Sequence, residues 1–105
     1  MSFADNLKTL PDVNHLQALH LIDGAGQRVA TLENRPGQAG SLAVYHALAQ
    51  RHGSLTPEAA REGLALYGEH TADALAFPGK HPNIDRLLAW AEGRATYRAE
   101  LVPKA

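Results

Sequence analysis

The hydrophobic period of this chain changes twice, at Ser41 and again at Arg94, and those changes restrict the folds open to it. Ahead of Ser41 lie two β-rich runs, HLQALHLI and RVATLEN, joined by Asp23-Gly24-Ala25-Gly26-Gln27, the pattern of a hairpin with a glycine-containing loop. From Ser41 to Gly93 apolar residues recur at helical spacing. Beyond Arg94 the run RATYRAELVP alternates, with Tyr97, Ala99 and Leu101 on one face and Thr96, Arg98 and Glu100 on the other. Pro103 should end that strand, because it has no N–H to donate to a ladder. The order predicts an α+β domain, a small three-stranded antiparallel or mixed sheet (hairpin plus C-terminal strand) covered by three helices. Strands are expected at about 15–22, 28–34 and 95–102, and helices at about 41–52, 57–76 and 82–92. A chain of 105 residues has room for one core, so the domain should span 1–105.

Local signals refine this outline. Ser2 can cap a short helix over Ala4 to Leu10, with Pro11 stopping it, placed as a lid on the core. Ser41 is the expected N-cap of the first long helix, and Gly53 stands where a left-handed C-cap belongs. Thr56-Pro57 opens the second, whose stripe runs through Ala60, Leu64, Tyr67, Thr71 and Ala74. Gly63 and Gly68 within it either admit a close neighbour or mark a bend, and close packing against the helix from Ser41 is the preferred reading. Pro82 starts the third, capped by His81 or Asn83. Leu42, Leu48, Leu64, Tyr67, Ile84, Leu87 and Leu88 are the expected core.

Composition excludes several functions. Ten Lys and Arg against eleven Asp and Glu leave a charge of −1, which gives no basic excess for nucleic acid. Without cysteine there is no disulfide, thiolate zinc site or cysteine nucleophile. No run has the apolar length of a membrane span, and MSFADNLKTLP lacks the regions of a signal peptide. Six histidines are scattered without any strong metal-ligand spacing.

Chemically capable side chains crowd most densely between Gly68 and Leu88. Glu69, His70 and Asp73 precede the Phe77-Pro78-Gly79 break, and Lys80, His81 and Asp85 follow it, so groups from two helices can meet across one turn. The ordinary explanation is a helix end, a turn and a cap on a solvated edge, and Glu62, Glu69 and Asp73 likewise read as a solvated acidic line. A weaker candidate is an anion site at Arg35, Gly40 and Ser41, where a glycine-containing loop enters a helix, although the P-loop and dinucleotide spacings are missing.

The segments GSLAVYHALA, EAAREGLALYGEHTADA and GKHPNIDRLL resemble a family of short proteobacterial proteins known as a domain of unknown function. The resemblance implies bacterial origin and cytoplasmic residence, and it transfers no cofactor or catalytic residue. Two functional classes follow from the residues. The first is a binding or interaction module whose His/Asp/Lys face meets a small anion, a partner protein or a second copy of the chain. The second is a metal-binding protein or metal-dependent enzyme using His70, His81 and nearby carboxylates, a donor set suited to zinc, manganese or iron.

Overall fold

The computed structural model describes residues 2–105. Its elements in chain order are α1 (Phe3–Leu7), β1 (Leu16–Ile22), β2 (Arg28–Glu33), α2 (Ala39–His52), α3 (Pro57–Tyr67), α4 (Glu69–Ala76), α5 (Pro82–Glu92) and β3 (Arg98–Pro103). The sheet is antiparallel with order β2-β1-β3, so the closing strand joins the hairpin on the free side of β1. The α+β class holds, with five helices among the described residues in place of the expected set.

The hairpin turn is built by Asp23, whose Oδ1 accepts from the amides of Ala25 and Gln27, while Gly26 takes a φ of 84° that a side chain would resist. At the other end Asn34 Nδ2 donates to the carbonyls of Val13 and Leu16, which fixes where β2 leaves β1. Leu19 lies opposite both Leu32 and Leu101, and Leu21 opposite Ala30 and Ala99; Leu19, Leu21 and Leu32 are fully covered on this face, whereas Leu101 on the edge strand β3 stays 42% exposed. Pro103 was expected to stop pairing. It is instead the last residue of β3, opposite Leu16, a place open to proline because β3 is an edge strand.

Against that face lies α2, which contributes Leu42, Val44, Tyr45, Ala47 and Leu48 to the interior. The covering is therefore one helix deep: α3 packs behind α2, and α5 packs against α3. Gly63 makes this approach feasible, since a Cβ there would stand 2.9 Å from both Leu48 Cδ1 and Leu87 Cδ1. Gly68 does the opposite. Its backbone, φ 58° and ψ −123°, ends α3 and starts α4, so the helix expected over 57–76 is two helices. Thr71 Oγ1 donates to the Leu64 carbonyl freed by the break.

Five of the seven expected core residues are buried, Leu42, Leu48, Tyr67, Ile84 and Leu87. Leu64 and Leu88 are half-buried. Trp90 and Tyr97 close the far end, rings perpendicular with centroids 4.8 Å apart.

Candidate functional site

The short helix α1 is capped as its sequence suggests, Ser2 Oγ accepting from the Asp5 amide in a capping box. It ends at Leu7, short of the expected Leu10. Two long-range bonds hold it to the helices: the Phe3 amide donates to Glu69 Oε1 at 2.7 Å, and Asn6 Nδ2 donates to the Leu66 carbonyl at 2.9 Å. Phe3 then stacks on Tyr67 with centroids 5.1 Å apart, and its ring edge lies 3.3 Å from where a Cβ on Gly40 would be. Glycine at 40 thus admits α1 to the start of α2.

The helix α2 begins at Ala39, two residues before the expected cap, so Ser41 lies inside its first turn and Gln38 holds the N-cap position without a side-chain bond. Ser41 Oγ accepts from the Tyr67 hydroxyl at 2.6 Å. Burial drives the pKa of that phenol up, so it stays a neutral donor. Tyr45 works similarly from the middle of α2: its hydroxyl donates to the Asn83 carbonyl at 2.7 Å, and burial raises its pKa to about 12. Arg86 Nη1 completes the link, donating to Asn83 Oδ1 and the Tyr45 hydroxyl. The first turn of α5 is thereby held to α2.

His81 holds the expected N-cap position of α5, yet its side chain caps nothing. Its Nε2 donates to Asp73 Oδ2 at 2.6 Å, and Lys80 Nζ donates to the same oxygen at 2.9 Å. The bond from His81, then that from Lys80, holds the Asp73 carboxyl below the usual range. Asp85 Oδ2 accepts from the Gly79 amide and stabilises the turn, where Gly79 has a φ of 93°. The expected solvated acidic line is likewise a set of ties, because Glu62 binds Arg51 and His52, Glu69 binds Phe3, and Asp73 binds the turn. Hydrogen bonding to the Phe3 amide lowers the Glu69 pKa.

These elements surround an open cavity of about 370 Å³. Gly40, Ser41, His70, Lys80 and His81 all lie on its wall, so residues singled out at two separate points of the sequence share one space. Asp73 stands behind Lys80 and His81, whereas Glu69, Asp85 and Arg35 are off the wall, with Arg35 paired to Glu33 at 2.7 Å. Sequence reasoning did not assign Phe3, Tyr67, Asn83 and Ile84 to the site, although they also line it. The spacing of Phe3, Tyr67 and Ile84 was visible but is equally a core signal, and Asn83 read only as a candidate cap.

With Nε2 committed to Asp73, His81 retains Nδ1 as its basic nitrogen. His70 meets Phe3 edge-on and stands 5.8 Å from His81, centroid to centroid. Among the described residues no group of three or more His, Asp or Glu converges to hold a metal ion. The metal reading therefore lacks a third ligand there. The amides of Gly40, Ser41 and Asn83, in the first turns of α2 and α5, have no hydrogen-bond partner among the described residues, as expected for helix N-termini.

The family model described as an uncharacterized protein conserved in bacteria, DUF2322, matches residues 3–101. The chain belongs to this family. The match begins at Phe3 and ends at Leu101, and so takes in the whole cavity wall. No curated protein and no solved structure matches the chain. No helix among the described residues is long and apolar enough to cross a membrane.

Proposed function

We propose that this protein is a small binding module that holds an anionic small molecule in the cavity between α1, α2 and the α4–α5 turn. One observation carries the reading: Lys80 and His70 meet two helix starts on a single concave wall that includes no carboxylate. Concave sites with a few convergent polar groups are where small ligands bind, and amides at helix N-termini favour negative charge. The cytoplasmic setting implied by the family resemblance belongs to the same proposal.

Thermal denaturation against a panel of small anions tests it. A ligand at about 100 times its Kd should stabilise the protein by about 2.7 kcal/mol. The His70→Ala, Lys80→Ala double variant should lose that stabilisation while keeping its unliganded Tm near wild type. A panel that leaves Tm unchanged, or a variant that responds like wild type, removes the proposal.

A partner protein is the second reading, supported by Leu75 and Phe77 at the end of α4, which are 63% and 57% exposed. Size-exclusion chromatography with light scattering separates self-association from a monomer.

A further inference from the structure

We propose that the cavity's ligand is an organic monoanion, a carboxylate carried on a flat apolar body; this rests on the binding reading above and names the ligand class. The wall is divided. Phe3, half-exposed and stacked on Tyr67 with an interplanar angle of 25°, presents the apolar side, backed by the buried Tyr67 and Ile84. Lys80 and His70 supply the polar side. A flat apolar body suits the first, and an anion suits the second.

Charge balance selects one negative charge over two. Lys80 is paired with Asp73, so these two formal charges cancel. What remains are donors: Lys80 spends one of its three N–H hydrogens on Asp73 and keeps two. His70 adds its imidazole, and the unpaired amides of Gly40, Ser41 and Asn83 add the ends of two helices. Each helix start carries roughly half a positive charge, and Asp85 in the first turn of α5 offsets that of α5, so the site favours at most one negative unit. A dianion would leave about one charge uncompensated against an apolar wall, a costly arrangement. The volume of about 370 Å³ falls near the low end of ligand sites, roughly 300–1,000 Å³, and so fits a molecule of one ring better than a nucleotide.

The test uses the full chain, calorimetry and amide NMR, with sodium benzoate, benzamide and inorganic phosphate as probes at one ionic strength. Benzoate should shift the amides of Gly40, Ser41 and Asn83 and bind about tenfold more tightly than either other probe, a difference of about one charge-assisted hydrogen bond. Lys80→Gln, at a side chain 58% exposed and so free to change without unfolding, should weaken benzoate by about tenfold. Benzamide binding as tightly as benzoate, or Lys80→Gln leaving benzoate affinity unchanged, overturns the inference. Phosphate binding the same amides more tightly than benzoate overturns the monoanion class and leaves the small-anion reading standing. No amide shift with any of the three probes overturns both.

Discussion

Asp73 Oδ2 accepts hydrogen bonds from both His81 Nε2 and Lys80 Nζ, and one oxygen thereby sets the position of two side chains on the cavity wall. A carboxylate that orients an imidazole also selects its tautomer, here leaving Nδ1 as the basic nitrogen. Replacing Asp73 should therefore disturb both stability and the site.

Asp73→Asn should lower Tm at neutral pH. The folded pKa of Asp73 is depressed, so its contribution is present above the unfolded value of about 3.9 and is lost as pH falls through the lower folded value. Wild type and variant should differ most near pH 7 and converge below that range. Urea denaturation at pH 7 and at acid pH measures this, and equal gaps at both would show that the bonds to Asp73 do not stabilise the fold.

Gly63→Ala should destabilise by about 1–3 kcal/mol, the cost of forcing a methyl group into a packed interface. Its Cβ would meet Leu48 and Leu87 at 2.9 Å, from α2 and α5 at once. A neutral or stabilising result would mean that both leucines move aside freely. Leu87→Ala acts on the same contact from the other side, and a fully buried leucine lost there should cost about 2–5 kcal/mol in the denaturation free energy.

These two glycines mark where the sequence was legible and where it stopped being so. Gly63 and Gly68 carry the same composition signal inside one helical stripe, yet one admits a neighbour and the other breaks the chain direction. The stripe continues through the break because Tyr67 and Ala74 bury toward the same interior from two helices. Periodicity reports a shared buried face and is blind to a kink that preserves it. The sheet was easier, since alternation in RATYRAELVP places Leu101 opposite Leu19 in the structure. At the site, the residue types at 70, 80 and 81 were visible, but their partners were not. Asp73 reaches His81 across a turn, whereas Asp85, one helical turn from His81 and the nearer choice by spacing, is taken by the Gly79 amide.

The buried face of α2 holds one group that should make the fold sensitive to acid. His46 is 2% exposed, and neither ring nitrogen has a hydrogen-bond partner among the described residues. Its ring meets that of His15 at 5.8 Å, so the charged groups that bear on it are His15, which opposes protonation, and Asp12, which favours it. Burial is the largest influence and lowers the His46 pKa, with His15 next. The unfolded chain, with an ordinary imidazole near pH 6.5, binds the proton more readily than the folded one. Stability should therefore be fully present above that pH and decline as pH falls below it toward the lower folded pKa. His46→Leu removes the titrating group and keeps an apolar side chain in the space, so its denaturation free energy should fall less than that of wild type between pH 7.5 and pH 5. The difference between the two profiles reports position 46 together with its contact to His15. Parallel pH profiles for the two proteins would show that His46 is charged in the fold as easily as out of it.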